Sequence, residues 1–282
     1  MQTLFWEYGI DDGMFHACVK SELAHFSAQQ AAHPSQCPSS PHAVVVGVEW
    51  GTEVIELATM GFRVTGVEPF PQYVANVTAA AADAGVLDKI SIHSAGAGRE
   101  RGRLNISYYD GSVSTNIITV DDIVKNETID VCSVDVHGGA NNFDVLVGGK
   151  KALERQMFKM IWVELFPDDV PSQANGWGRK LIDLLIASNY VLYDLKWSGG
   201  WKSCKETGTL PHHCGDIRSS NLALKQRRSL TSSESYMNAM YVDRAKNFQY
   251  LQTDIVAVPL SGALLADRAF QKAAVKCSGN TS

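Results

Sequence analysis

Two stretches of this chain hold side chains whose types and spacing could do chemistry together. Gly47-Val48-Glu49-Trp50-Gly51 closes an apolar run and opens a segment of helical character. Gly47 would permit a tight turn there, and Gly51 a close approach of the backbone to a ligand. Glu68 closes the next apolar run, about 20 residues on, where an acid can accept hydrogen bonds from both hydroxyls of a ribose. A carboxylate in that place serves NAD and S-adenosylmethionine equally, and its plain alternative is a solvated acid at a strand end. Further along, Ser133-Val134-Asp135-Val136-His137-Gly138-Gly139 sets a carboxylate and an imidazole just past a third apolar run. An imidazole titrates near neutral pH and can take a proton from a hydroxyl, while Asp135 could orient it or accept a substrate hydrogen bond. The plain alternative is a turn histidine beside an acid that ends a strand. Asp121 and Asp122 could reach the same mouth from their loop.

Elements that could position these groups alternate along the chain. AVVVGVE (43–49), FRVTGVE (62–68), KISIHSA (89–95), RLNISYY (103–109), IDVCSVDV (129–136), MIWVELF (160–166), YVLYDLKW (190–197) and QTDIVAVP (252–259) read as strands. The first is a continuous apolar run, as expected of a central strand covered on both faces. Helical patterns lie between them. GTEVIELATMG stops at Gly61, Pro69–Gly85 is rich in alanine, and a segment from Asp144 to Gln156 is weakened by Gly148 and Gly149. GRKLIDLLIASN (178–189) is amphipathic, and LLADRAFQKAAVK can close the chain. The alternation predicts one α/β domain, a mostly parallel sheet with helices on both faces, whose ligands bind beyond the carboxyl ends of the strands. Residues 1–42 read as an N-terminal leader ending in a proline- and serine-rich linker. The domain then runs over 43–276, with residues 198–247 an irregular insertion.

The order of these motifs resembles the FkbM-type methyltransferases. VVVGVEWGTEVIELATMGFRVTGVEPFP is similar to that family's opening of strand, GANxG, helix, strand and FEP. SAGAGRERGRLNI, GSVST, the TVDD of 119–122 and SVDVHGG follow in the family's order, and WVELF, YVLYDL and TDIVAVP match its late strands. The resemblance covers about 43–200 and 248–259 and leaves the insertion unmatched. It implies a Rossmann-like S-adenosylmethionine-dependent methyltransferase fold that transfers a methyl group to a hydroxyl oxygen of a small molecule or glycan. It also implies that Gly47, Glu49 and Gly51 border the methionine end of the cofactor. Glu68 would hold its ribose, Ser94 and Ala95 would flank its adenine, and Asp135 and His137 would face the methyl and the acceptor.

Three positions depart from the family pattern. Val45 stands where methyltransferases often carry an acid, and Glu49 replaces the asparagine of GANxG. His137 replaces the glutamate of the family's Asp-Val-Glu-Gly, and the stretch after it fits only with a small insertion. Glu49 puts a carboxylate near the place of the cofactor's own, an arrangement that costs affinity unless a cation or proton intervenes. These departures favour a second reading, a methyltransferase-like module that has lost the cofactor and serves in binding. A third, an NAD-dependent oxidoreductase, shares the glycine turn and Glu68 but fits poorly with the motif order after residue 90.

Composition bounds the partners. At 282 residues, 45% apolar and 20% charged, the chain can bury a sizeable core, which excludes disorder as its main state. A net charge of −5 lacks the basic footprint of a nucleic-acid or membrane-surface binder. No stretch reaches the ~18 consecutive apolar residues that span a bilayer. Glu7, Asp11 and Asp12 stand where a signal peptide needs apolar residues, so the sequence as it stands reads as cytoplasmic. Against that, sequons at Asn76, Asn105, Asn126 and Asn280 leave a luminal location open. Cys132, inside an apolar run, reads as a buried small hydrophobe. Cys204 and Cys214 flank a loop and could pair, or bind zinc with His212 and His213 at a spacing of no familiar zinc module, so no metal is expected. Trp177, Trp197 and Trp201 could be core anchors or a stacking platform for a sugar-like acceptor. Oligomeric state leaves no trace in the sequence.

Overall fold

The computed structural model describes residues 40–108, 111–136, 139–165, 176–195 and 253–260. Strand β1 (His42–Val46) is followed by helix α1 (Thr52–Thr59), β2 (Arg63–Val67), α2 (Pro71–Asp83) and β3 (Ile90–His93). A second group comprises β4 (Gly96–Ala97), β5 (Gly102–Tyr108), β6 (Gly111–Ile118) and α3 (Val120–Val124). Then come β7 (Val131–Val134), α4 (Gly139–Gly148), α5 (Lys150–Glu154), β8 (Ile161–Leu165), α6 (Trp177–Ala187), β9 (Tyr190–Leu195) and β10 (Thr253–Pro259).

Seven strands form the main sheet in the order β3-β2-β1-β7-β8-β10-β9. All neighbouring pairs are parallel except those of β10, which runs antiparallel to both β8 and β9. The chain builds outward from β1 through β2 to β3, then restarts beside β1 with β7, so the order reverses between β1 and β7. Crevices at such a reversal are where open α/β sheets bind ligands.

Both faces of the sheet are covered, and β1 shows how. Val44 and Val46 enter one core with Val120, Val124, Val145, Leu146, Leu181 and Leu185 of α3, α4 and α6. Ala43 and Val45 point the other way, into a core with Val54, Leu57 and Ala58 of α1 and Val77 and Ala81 of α2. The two-residue period of a strand therefore feeds both layers, and an uninterrupted apolar run is its necessary signature. Cys132 belongs to the first core as expected, fully buried, with burial pushing its thiol up to about 12.

Two departures from the sequence reading have physical reasons. The helix expected over 144–156 begins earlier and is split into α4 and α5 around Gly149. The glycines serve close packing, since a Cβ on Gly148 would lie 2.1 Å from the Gly98 carbonyl oxygen and one on Gly149 would press on Val120. Second, GSVST belongs to a full strand, β6, which pairs antiparallel with β5 and parallel with β4 in a separate small sheet. Its serines, threonine and asparagine are mostly exposed, so the apolar pattern that marks the main strands is missing there. The sequons Asn76, Asn105 and Asn126 are exposed, on α2, on β5 and in the turn after α3. No helix among the described residues is long and apolar enough to cross a membrane. The leader through residue 39, the insertion, Asn280, the closing helix, Trp197, Trp201 and the Cys204–Cys214 loop lie outside the described residues.

Candidate functional site

Gly47 follows β1 directly, at the reversal point. It has φ +89°, and a Cβ there would stand 1.8 Å from the carbonyl oxygen of Asp135, the first residue after β7. Its N–H donates to the Val67 carbonyl at 3.1 Å, and the Asp135 N–H donates to the Val46 carbonyl at 3.0 Å. The loops leaving β1, β2 and β7 are thus pulled into contact, and only glycine fits at their junction.

The turn continues with two more left-handed residues, Glu49 at φ +44° and Gly51 at φ +80°. Gly51 is the N-cap of α1, and a Cβ on it would lie 2.4 Å from Cγ2 of Val77. The close approach that Gly51 permits here is to α2. For Glu49, a non-glycine residue in this region costs about 1–3 kcal/mol and persists only where its surroundings hold it.

What holds it is Glu68. The carboxylate is 4% exposed and spans two loops, Oε2 accepting from the Glu49 N–H at 3.0 Å and Oε1 from the Phe70 N–H at 2.9 Å. Burial pushes the Glu68 carboxyl above its ordinary value, against the pull of the backbone N–H groups of Phe70, Glu49 and Val48. One oxygen pair thereby fixes both the glycine turn and the start of α2. Each oxygen retains a lone pair beyond the bond it makes, so the group can still accept from a diol. The third loop joins through the Ala95 N–H, which donates to the Glu68 carbonyl at 3.1 Å. Ala95 is buried and Ser94 exposed.

Gly47, Glu49, Gly51, Glu68, Ser94, Ala95 and Asp135 therefore meet at the carboxyl ends of β1, β2, β3 and β7. Asp135 is exposed there, and His137 lies outside the described residues. Asp121 and Asp122, expected within reach of the mouth, are engaged in capping instead. Asp121 accepts from the N–H groups of Ala152 at 2.9 Å and Lys151 at 3.3 Å at the start of α5. Asp122 forms a capping box with Thr119 and an ion pair with Arg101 that holds its carboxyl well below the ordinary range. Trp177 packs on Phe143 at 5.6 Å with the Lys180 ammonium 4.3 Å from its ring centroid, which is the geometry of an anchor between α4 and α6.

Sequence reasoning missed Asn142. Fully buried on α4, it accepts from the Val136 N–H at 2.8 Å and donates to the Glu164 carbonyl at 2.9 Å. It ties the segment after Asp135 to the end of β8. The available signal was its place on the face it shares with Val145 and Leu146, a polar residue at i, i+3, i+4 spacing among core residues.

The strand order, with one antiparallel strand slotted second from the edge, decides the fold. The sheet is Rossmann-like, mostly parallel and doubly wound with helices on both faces. No family model matches the chain, and no curated protein matches it. Among solved structures it is similar to an FkbM methyltransferase from Methylobacillus flagellatus, at 19% identity over 55% of this chain, with a TM-score of 0.40. The matched region spans 40% of that protein's length. An rRNA methylase from Streptococcus thermophilus matches at 10% identity, over 78% of this chain and 87% of its own, with a TM-score of 0.41. The O-methyltransferase TomG from Streptomyces achromogenes, solved in complex with SAM, matches at 11% identity over 85% of this chain and 79% of its own, with a TM-score of 0.41.

Proposed function

We propose that this chain is an S-adenosylmethionine-dependent methyltransferase of the FkbM type, acting on a hydroxyl of a small molecule or glycan. The observation that carries the reading is the buried Glu68 carboxylate, locked onto the glycine turn at the reversal point of the sheet. A carboxylate held there by backbone donors is pre-organised to receive ribose hydroxyls. Gly47 and Gly51 let the neighbouring loop and helix pack close around it, and Ala95 would supply a small buried surface for the base. S-adenosylmethionine, when bound, supplies an electrophilic methyl on a sulfonium.

The chain's own residues must then align an acceptor oxygen and remove its proton. Asp135, exposed just past the end of β7, would accept a hydrogen bond from that hydroxyl in this scheme. His137, two residues on, is the general base of this scheme. The motif order from GVEWG through GVEPF to SVDVH supports FkbM-type membership.

Titration calorimetry with S-adenosylmethionine and S-adenosylhomocysteine tests the reading. Binding of both is expected, and no binding of either at millimolar concentration overturns it. The second reading, a module without cofactor, is favoured by Glu49, whose half-buried carboxylate sits on the turn itself. The wild-type titration separates the two, and Glu49→Asn tests the ground of the second. Asparagine tolerates the left-handed backbone and removes the charge, so this variant tightens or restores binding if Glu49 opposes the cofactor's carboxylate. Binding unchanged by the substitution removes Glu49 as a reason for the second reading.

A further inference from the structure

Trp50 is 61% exposed, in the middle of the glycine turn. The other exposed large apolar side chains among the described residues lie elsewhere. Leu87 precedes β3, Leu104 is on β5, and Ile186 and Leu260 are near the Asn189 turn, where the Leu260 N–H donates to the Asn189 carbonyl. Trp50 is thus the large apolar group left open at the ligand-binding edge. Its backbone is fixed on both sides by left-handed residues, Glu49 and Gly51, the latter wedged against Val77.

An aromatic file runs inward from it. The Trp50 ring meets Tyr73 edge-on with centroids 5.5 Å apart, and Tyr73 meets Phe70 edge-on at 5.9 Å. Tyr73 is buried, and the Phe70 N–H donates to Glu68. The other donor to Glu68 is Glu49, the neighbour of Trp50 in sequence. The indole is therefore held against Tyr73, on the turn whose neighbouring residue donates to Glu68, with most of its surface uncovered.

We infer that Trp50 is a positioning residue for the nucleoside half of the ligand, offering its indole to a nucleoside whose ribose diol sits on Glu68. The inference rests on the cofactor reading above and adds a recognition element to it. A diol acceptor fixes a ribose at one edge, and an aromatic surface beside it excludes water from the sugar and base. Contact of this kind favours a nucleoside over an amino acid, so the methionine half contributes nothing to it.

Wild type, Trp50→Phe and Trp50→Ala are titrated with S-adenosylhomocysteine, 5′-methylthioadenosine and methionine, following both calorimetry and tryptophan emission. Because Trp50 is exposed, both variants are expected to melt with wild type. Emission in wild type changes with both nucleosides and not with methionine, and the change disappears in Trp50→Phe. Trp50→Ala weakens both nucleosides by the same factor, roughly 5- to 150-fold, the range of one base–aromatic contact. Trp50→Phe, which keeps an aromatic face, stays within about threefold of wild type. An unchanged affinity in Trp50→Ala, or an emission change that survives in Trp50→Phe, overturns the role of Trp50 alone. Weakening confined to S-adenosylhomocysteine places the contact on the amino-acid half and also overturns it. Absence of nucleoside binding in wild type overturns the cofactor reading itself, and this inference with it.

Discussion

Glu68→Gln separates the two tasks that the structure gives to one carboxylate. The carboxylate accepts from two backbone N–H groups, one on each oxygen. Glutamine has a single acceptor oxygen, so one of Glu49 and Phe70 must face an NH2 group instead. Hydrogen bonds to charged groups contribute about 1.5–3 kcal/mol, and an unsatisfied buried donor costs about 1–3 kcal/mol. The variant recovers part of this because no charge is buried, which leaves a net loss of about 2 kcal/mol. For a domain of this size that corresponds to a fall of roughly 4–8 °C in melting temperature.

The pH dependence gives an independent sign. Burial raises the folded-state pKa of Glu68 above its ordinary 4.5. Between those two values the folded chain binds more protons than the unfolded one. Stability from this group is therefore complete below pH 4.5 and is lost as pH rises through the raised folded value. Glu68→Gln has no such titration, so the gap between wild type and variant is widest near pH 4.5 and narrows by pH 8. Differential scanning fluorimetry across that range reads both effects. An unchanged melting temperature would refute the stapling of the turn, and a gap that widens with rising pH would refute the raised pKa.

Two further outcomes follow from buried polar groups. Asn142→Leu removes the acceptor of the Val136 N–H and the donor to the Glu164 carbonyl, leaving two backbone groups without their partner at a loss of about 2–5 kcal/mol. Urea unfolding should show a lower midpoint, with faster hydrogen exchange at Val136, and protection there equal to wild type would refute the tie. His42 is buried at the start of β1, with Nε2 2.9 Å from Thr65 Oγ1. Burial, then the Arg63 charge, holds its pKa below the ordinary 6.5, against the opposite pull of Glu127 and Asp130. The folded chain thus binds fewer protons than the unfolded one, and stability that is complete above pH 6.5 is lost as pH falls through the depressed folded value. Urea midpoints at pH 7.5 and 5.5 should diverge in wild type and converge in His42→Gln, and equal divergence in both would refute this.

How far the site could be read without coordinates depends on whether its interactions lie along a strand or between loops. Glu68 was legible because a strand end is marked by the chain itself, the apolar run stopping at Val67. Its donors were not, because Glu49 and Phe70 reach the carboxylate through backbone N–H groups, which every non-proline residue possesses and no residue type advertises. Gly47 was legible as a turn, while its reason, the Asp135 carbonyl of a distant loop, was not. Strand β6, which the apolar pattern does not mark, makes the same point for the fold. Its pairing with β5 is carried by backbone hydrogen bonds, and its inward face, Val113, Thr115 and Ile117, is short and interrupted by a threonine, so the apolar alternation is faint.

These cases bear on how the site can change. A residue acting through its backbone tolerates any side chain that keeps its φ and ψ. Glu49 can therefore stand where the resembled pattern has asparagine without disturbing the Glu68 staple, whatever its side chain does to a ligand's charge. The structure agrees, since Glu49 keeps the left-handed conformation that suits asparagine and glycine better. The backbone scaffold of the site and its electrostatics are separable. Under the proposed function, an intact scaffold is then weak evidence for cofactor binding, and the charge at position 49 is what Glu49→Asn puts to the test.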